Sequence, residues 1–166
     1  MQLIIEALIF IFPAYCANAL PVITGGGLPL DFGKHFIDGK PIFGKNKTFR
    51  GFFSALAIGT VVGFAENAFL NYPKNVQGFQ FGFLLSFGAL LGDLVGAFVK
   101  RRLGLAPGEP LPIIDQMDFI LGALLFAQLL GIVTWELTVI ILIITPPIHL
   151  LTNFAAYKMG LKNTPW

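Results

Sequence analysis

Residues Gly78–Val99 read GFQFGFLLSFGALLGDLVGAFV, an apolar run that contains one acid, Asp93, and is followed directly by the cations KRR at 100–102. A spanning helix needs about 20 predominantly apolar residues, so this run is long enough to cross a bilayer. A carboxylate at the bilayer centre costs roughly 2.5–3.5 kcal/mol on insertion scales. Asp93 therefore requires a partner or a function, and an acid beside a basic cluster at a membrane surface suggests a divalent metal and phosphate.

The composition of the whole chain places it among membrane proteins. Its 166 residues are 55% hydrophobic and 12% charged, whereas soluble domains carry about 25% charged residues. The fold class is therefore predicted to be all-α, a polytopic membrane protein that forms a single domain over residues 1–166. Cys16 is the only cysteine, which excludes a disulfide or a thiolate metal site within one chain.

Five transmembrane helices are predicted. The last two apolar runs nearly merge, but one helix over both would be about 50 Å long against a hydrocarbon core of roughly 30 Å, so a turn is expected at Trp135-Glu136. Pro146-Pro147 should kink or interrupt the fifth helix. The predicted segments are Gln2–Ile23, Gly51–Asn71, Gly78–Val99, Met117–Trp135 and Leu137–Tyr157.

Basic residues predict the orientation of these segments. Of the 11 Lys and Arg residues, only Lys74 lies in the second or fourth connection; the others lie in the first and third connections or after the fifth segment. The positive-inside rule assigns the side with many cations to the cytoplasm. We therefore expect a multi-pass protein of the cell membrane with its N-terminus outside, its C-terminus in the cytoplasm and its active site facing the cytoplasm.

The long first cytoplasmic loop carries the first candidate site. Residues 24–52, TGGGLPLDFGKHFIDGKPIFGKNKTFRGF, are rich in Gly and Pro and predict irregular structure. The end of this loop places three cations just before an apolar helix, where backbone N–H groups already favour anions. An alternative is a basic flank attracted to anionic lipid headgroups. The candidate phosphate-binding residues are Lys45, Asn46, Lys47, Thr48 and Arg50.

The second candidate site is acidic. Asp115 and Asp118 are three residues apart at a helix start, which places their Cβ atoms about 5–6 Å apart. Carboxylates there can cap the helix, and with phosphate oxygens they can also hold Mg²⁺. Asp93 can be a metal ligand, a proton relay or one half of a structural ion pair.

Two further patterns have both a structural and a functional interpretation. Gly88, Gly92 and Gly96 recur every fourth residue, which favours a helix-packing seam and also leaves room for a nucleotide. His149 and Asn153 share a helical face near the cytoplasm, where they can contact a ligand or serve as polar interface anchors.

The third and fourth segments resemble the carboxyl-terminal signature of membrane phosphatidate cytidylyltransferases, the CDP-diacylglycerol synthases. The Lys-Asp pair and His-Gly-Gly run of the bacterial pattern are missing from the connection between the two segments. The matching residues are Gly92-Asp93, Lys100-Arg101, Leu111-Pro112 and Asp115-x-x-Asp118.

The whole chain more closely resembles the shorter archaeal branch, the CDP-archaeol synthase family. The similarity extends from the first loop to the C-terminal tail. It rests on Pro29-Leu30-Asp31-x-Gly33, Phe36-x-Asp38-Gly39, Gly44-x-x-Lys47-Thr48-x-Arg50-Gly51 and His149…Asn153…Ala156-Tyr157-x-x-Gly160-x-Lys162…Pro165-Trp166.

This resemblance implies a Mg²⁺-dependent enzyme that transfers CMP from CTP to an unsaturated archaeal ether-lipid phosphate and releases pyrophosphate. It implies that Asp93, Asp115 and Asp118 are catalytic and hold Mg²⁺. Phosphates or the lipid headgroup would be bound by Lys45, Lys47, Arg50, Lys100 and Arg101. The expected partners are CTP, an isoprenoid glycerol-ether phosphate and the membrane; no nucleic acid is expected, and a homo-oligomer is compatible with the sequence.

Two other functions are weighed against this one. The CDP-alcohol phosphotransferases need D-x-x-D-G-x-x-A-R, but Asp118 is followed by Phe119 and Ile120. A small transporter or proton pathway can use Asp93 as a relay. Five segments lack the doubled repeat that is usual in secondary transporters.

Overall fold

The computed structural model describes residues 2–162. Met1 and residues 163–166, which include the Pro165-Trp166 pair of the tail pattern, lie outside the described part of the chain. The described residues contain no strand, only two isolated bridges in the first loop. The helices are α1 (Gln2–Ala19), α2 (Pro21–Thr24), α3 (Phe49–Leu70), α4 (Gly78–Arg102), α5 (Ile114–Ala127) and α6 (Trp135–Lys158), with a 3₁₀ turn at Gln128–Leu130.

Local signals explain where the long helices begin and end. Thr48 caps α3 by accepting a hydrogen bond from Gly51 N at 3.2 Å, and Thr134 caps α6 in the same way from Leu137 N at 3.2 Å. α3 ends at Asn71, which is left-handed with φ 51°. The last turn of α4 holds three cations, which interact favourably with the helix dipole.

Helix α4 is the centre of the bundle, in contact with α1, α3 and α5. Aromatic side chains from three helices fill the core: Phe10, Phe81 and Phe119 are each at most 1% exposed. Outward-facing side chains such as Val61, Leu125 and Ile143 are exposed, as expected for surfaces that face lipid tails. The all-α, polytopic membrane architecture is confirmed.

At the glycine positions of their interface, α4 and α5 approach each other so closely that no Cβ atom would fit. A Cβ atom at Gly88 would overlap the carbonyl oxygen of Gly122, and a Cβ atom at Gly122 would overlap that of Gly88. At Gly92 and Gly96 it would overlap the backbone and the carboxylate of Asp118, respectively. The predicted glycine seam is confirmed, and it draws the acid-bearing start of α5 against α4.

Three of the five predicted segments differ from the helices in the structure. The first run is divided near Leu20 into α1 and α2, because Pro21 starts a new helical turn. The fourth is a helix of only 14 residues, about 21 Å long, so that four helices of the described chain are long and apolar enough to span a bilayer. α6 runs through Pro146-Pro147 without a break, so of the two expected outcomes, a kink or an interruption, the interruption is excluded; a surrounding without water favours backbone groups that remain in a helix.

Gly122→Ala should destabilise the protein, because the added methyl group would push the α4 and α5 backbones apart. Overpacking of this kind costs about 1–3 kcal/mol. Thermal unfolding of the detergent-solubilised protein checks this expectation, with Leu125→Ala on the exposed face of the same helix as the control. Equal melting temperatures for Gly122→Ala and the unmodified protein would contradict the close-packing interpretation.

Candidate functional site

The end of the first loop is joined to α4 by an ion pair. Lys47 Nζ donates to both carboxylate oxygens of Asp93, at 2.6 Å and 2.5 Å. Both side chains are about three-quarters buried, with 29% and 24% exposed. The intramembrane acid therefore has a partner, and this partner comes from the loop in which phosphate-binding cations were predicted.

A second ion pair joins α4 to α5. Lys100 Nζ donates to both oxygens of Asp115, at 2.9 Å and 2.8 Å. Asp115 also accepts a hydrogen bond from Leu111 N at 2.9 Å, which closes the turn before α5. The residue at the N-cap position of α5 is Ile113. The interpretation of Asp115 or Asp118 as the N-cap of this helix was therefore wrong.

Asp118 lies near the acids of both ion pairs. Its carboxylate packs against Gly96 and accepts a hydrogen bond from Phe119 N at 2.6 Å. Asp93, Asp115 and Lys47 are all within electrostatic range of it. The three aspartates that the sequence singled out are thus brought together at one end of the bundle.

The C-terminal half of α6 reaches the same region. The Asn153 amide lies 3.2 Å and 3.3 Å from the two ring nitrogens of His149, and Lys162 Nζ donates to Asn153 Oδ1 at 3.0 Å. Asp93 and Asp115 are within electrostatic range of His149. Burial, the main cause, lowers the pKa of Lys162 from its ordinary value.

A cleft opens beside the Lys47–Asp93 pair. Its walls are partly polar, from Asn46 and Thr48, and partly apolar, from Leu90, Leu94 and Phe52. The cleft lies between the loop, α2, α3 and α4 and is narrow, with a cavity volume of about 20 Å³. A charged end joined to an apolar wall is suited to an amphipathic molecule.

Asp31 holds the first loop in shape. Only 5% of this residue is exposed, and its carboxylate accepts hydrogen bonds from Gly33 N at 2.9 Å, Phe43 N at 2.9 Å and Gly44 N at 2.8 Å. Burial acts to raise the pKa of this carboxyl, but the backbone donors outweigh burial and the pKa is lowered. A single carboxylate thus fixes both ends of the loop over residues 31–44.

Arg102 anchors the middle of the same loop to the end of α4. Its guanidinium lies 5.0 Å and 4.8 Å from the ring centroids of Phe36 and Phe98, and it donates to Asp38 Oδ1 at 2.6 Å and Pro41 O at 2.5 Å. In return, Lys40 Nζ donates to the Arg102 carbonyl at 2.8 Å. The first loop therefore lacks regular secondary structure but is attached to the end of α4 through Arg102 and Lys40.

The remaining predicted residues have different surroundings. Lys45 and Asn46 are exposed, and Thr48 serves as the α3 cap. Arg50 is exposed and donates to the carbonyls of Thr24, at 2.8 Å, and Gly25, which attaches it to the loop start. Arg101, by contrast, is buried.

The acids fit Mg²⁺ in kind but are not grouped as a preformed metal site. Carboxylates with phosphate oxygens are the ligands that Mg²⁺ prefers. Yet within residues 2–162 no three His, Cys, Asp or Glu side chains are close enough together to hold a metal ion. The ammonium groups of Lys47 and Lys100 already engage two of the three carboxylates.

The family model described as CarS-like, CDP-archaeol synthase, matches residues 1–166. This chain belongs to the CDP-archaeol synthase family. Similar proteins include the CDP-archaeol synthases of Pyrococcus furiosus, 47% identical over 100% of both chains, and of Methanococcus aeolicus, 47% identical over 100% of this chain and 98% of the other.

A solved structure also resembles this member of the CDP-archaeol synthase family. It is described as "Structural insight into an intramembrane enzyme for archaeal membrane lipids biosynthesis", with a TM-score of 0.83 and 38% sequence identity over 90% of this chain and 94% of that one. The resemblance drawn from the sequence is confirmed, and the chain is a membrane cytidylyltransferase. The comparisons do not favour a transporter or proton pathway.

Sequence reasoning missed the supporting residues of this CDP-archaeol synthase family member. Asp31 and Asp38 were noted only as parts of a motif, and Arg102 only as part of a basic cluster. The dipeptide Asp38-Gly39 predicts a turn. An acid in such a turn is a candidate partner for the basic residues at the end of α4, and this is the signal that could have found the Asp38–Arg102 pair. The partners of Asp31 are backbone N–H groups, which leave no mark in a sequence.

Asp31→Asn should loosen the loop over residues 31–44, because an amide accepts fewer and weaker hydrogen bonds than a carboxylate. Hydrogen exchange at Phe43 and Gly44 should rise by about tenfold, the change expected when roughly 1.4 kcal/mol is lost locally. Lys34→Gln, an exposed change in the same loop, is the control.

The same carboxylate predicts a pH effect. Because its folded pKa is lowered, its contribution to loop stability is complete above the unfolded value, about 3.9, and is lost as the pH falls below that value. Hydrogen-exchange protection of Phe43 and Gly44 that is identical in Asp31→Asn and the unmodified protein would contradict the proposal that the Asp31 carboxylate holds this loop.

Proposed function

We propose that this protein transfers CMP from CTP to the unsaturated archaeal ether-lipid phosphate 2,3-di-O-geranylgeranylglycerol 1-phosphate, giving CDP-archaeol and pyrophosphate. The observation that carries the proposal is the cleft with the Lys47–Asp93 pair at one end and apolar side chains along its wall. A lipid phosphate has the same division between a charged head and apolar chains. The matching relatives are themselves CDP-archaeol synthases.

The reaction joins two anions. An oxygen of the lipid phosphate forms a bond to the α-phosphorus of CTP, and the bond from that phosphorus to the β-phosphate oxygen breaks, so that the electron pair leaves with pyrophosphate. No group of the protein has to become covalently attached. The catalytic work is therefore positioning and neutralisation of charge, which a site of alternating acids and cations supports.

Asp93, Asp115 and Asp118 are the residues that would hold Mg²⁺. The ion would supply charge stabilisation at the transferred phosphoryl group and at the leaving group. Lys47 and Lys100, which pair with two of these carboxylates, would donate hydrogen bonds to phosphate oxygens at the same site.

His149 and Asn153 are proposed to position the reactants. They lie on α6, whereas the aspartates lie on α4 and α5, so they enclose the acids from another side. Their mutual contact and the Lys162–Asn153 hydrogen bond fix the orientation of the amide. Lys45 and Arg50 are exposed and are proposed to attract the triphosphate to the loop.

We also propose five crossings, with the first loop and the C-terminus in the cytoplasm. The 14 residues of α5 and the 3-residue 3₁₀ turn add up to about 27 Å, close to the core thickness of roughly 30 Å. Leu121, Leu125 and Leu129 present an exposed apolar row along this segment. CTP is a cytoplasmic nucleotide, which agrees with the cation-rich side as the side of the site.

Purified protein supplied with CTP, Mg²⁺ and the lipid phosphate should produce a CDP-lipid and pyrophosphate in equal amounts. Asp93→Asn, Asp115→Asn and Asp118→Asn should each lower kcat by about 100-fold or more, because each removes a charge from the metal-binding set. Glu136→Gln, at the exposed start of α6, is the control and should retain activity. Activity near that of the unmodified enzyme in two of the three variants would overturn the metal assignment, and absence of product from the unmodified enzyme would overturn the function.

Cysteine labelling tests the topology. In a Cys16→Ala background, Lys74→Cys should react with a membrane-impermeant maleimide in intact cells, whereas Lys34→Cys and Lys158→Cys should react only after permeabilisation. All three positions are exposed. Labelling of Lys158→Cys from outside would mean an even number of crossings and would contradict a membrane-spanning α5.

A further inference from the structure

The first loop exposes three large apolar side chains that lie outside the candidate site. Phe32, Phe36 and Ile37 are exposed, Ile37 to 94%, and we call these three residues the apolar rim of the loop. Lys34 and His35 lie between them in the sequence and are exposed as well. Clustered exposed apolar side chains mark a surface that contacts another protein or a membrane.

Phe32 extends the lipid-facing side of α3. Its ring centroid lies 5.3 Å from that of Phe49, the first residue of α3, and Phe49 is stacked on Phe53 at 6.4 Å. Phe53 is exposed, and so are Val61 and Phe64 at helical spacing along the same side of α3. The loop thus adds one more aromatic ring to the end of an apolar stripe.

Phe36 makes the same kind of contact with α4. Its ring packs edge-on against Phe98, with the centroids 5.3 Å apart. Around Phe98, the neighbouring side chains Val95, Val99 and Leu103 are exposed on one side of the helix. Two members of the apolar rim are therefore continuous with the exposed apolar sides of two membrane-spanning helices.

The positions of these contacts along the helices give their depth. Phe49 comes 21 residues before the end of α3 at Leu70, and Phe98 comes 20 residues after the start of α4 at Gly78. Both distances are about 30 Å at 1.5 Å per residue, which is roughly the thickness of the hydrocarbon core. The rings that rest on Phe49 and Phe98 therefore lie where the hydrocarbon core meets the lipid headgroups.

We propose that the apolar rim inserts into the bilayer leaflet on the loop side, with Phe32, Phe36 and Ile37 among the upper parts of the lipid chains. Lys34 and His35 remain at the headgroups, because a segment that mixes aromatic and basic side chains is typical of the membrane interface. Bilayer lipid is favoured over a second copy of the chain, since the rim continues surfaces that already face lipid. The inference is independent of the proposed function.

Insertion would give the first loop a third attachment. Asp31 closes the loop through backbone hydrogen bonds, and Arg102 joins its middle to the end of α4. Both contacts are internal to the protein, whereas the apolar rim would fix the loop relative to the membrane surface. The depth of Lys47, which the same loop carries, would then depend on the bilayer as well as on the fold.

Fluorescence quenching in lipid nanodiscs, in which both membrane faces reach the solution, tests the insertion. In a Cys16→Ala background, Ile37→Cys carries a small fluorophore, and Lys45→Cys, an exposed position of the same loop outside the rim, is the control. The label at position 37 should be quenched by lipid with a nitroxide at the top of its chain. Its quenching by iodide in solution should be several-fold weaker than that of the label at position 45.

A second pair of variants tests whether the rim inserts as a unit. Phe32→Ser, added to the Ile37→Cys protein, should increase iodide quenching of the label because one of the inserted side chains is lost. Phe69→Ser, an exposed change at the other end of α3, is the matched control and should leave the quenching unchanged.

Three results would overturn the proposal. The first is equal iodide quenching of the labels at positions 37 and 45, which would place Ile37 in water. The second is a label at position 37 that is shielded from iodide but is not quenched by the nitroxide lipid, which would mean that protein, such as a second copy of the chain, covers it. The third is iodide quenching that Phe32→Ser leaves unchanged.

Discussion

The close approach of α4 and α5 is the constraint on which the site depends. Side chains with a Cβ atom at Gly88, Gly92, Gly96 and Gly122 would separate the two backbones, and the start of α5 would then move away from α4. Lipid tails provide no hydrophobic force between helices, so contact has to come from packing of small residues. The same contact brings Asp118 against Gly96 and Asp115 within reach of Lys100. Helix packing and the placement of the acids therefore depend on the same seam.

Charge compensation explains how so many ionisable groups are kept near a membrane. Asp93, Asp115 and Asp38 each have a cation, and the buried Asp31 has three backbone donors instead. Ion pairs of this kind are close to neutral for stability, since desolvation offsets most of the attraction. Lys47 and Lys100 neutralise the carboxylates of Asp93 and Asp115 and hold two ammonium groups at the same end of the bundle as the three aspartates.

The sequence could predict the helices and the acids because both are local signals. The length of the apolar runs predicted the long spans, and the spacing of Gly88, Gly92 and Gly96 predicted the helix-packing seam. The family pattern indicated the three aspartates. It could not predict that α5 would be short, because a run of apolar residues does not show where a helix gives way to a 3₁₀ turn. Nor could it predict which cation pairs with which acid: Lys47 and Asp93 are 46 residues apart, and only the folded loop brings them together. Arg101 and Arg102 look alike as neighbours in a basic cluster, yet Arg101 has two buried guanidinium nitrogens without a hydrogen-bond partner among the described residues, whereas Arg102 anchors a loop.

The two hollows beside α4 differ in the residues that line them. The cleft at Asp93 combines charge with Leu90 and Leu94, whereas the pocket at Arg101 combines charge with turns and loop backbone. Asp93 and Arg101 project from one rigid helix, so their separation along α4 is fixed by helical geometry and does not depend on loop movement. A single helix that passes from the apolar part of the bundle into the loop region therefore sets the distance between the two hollows.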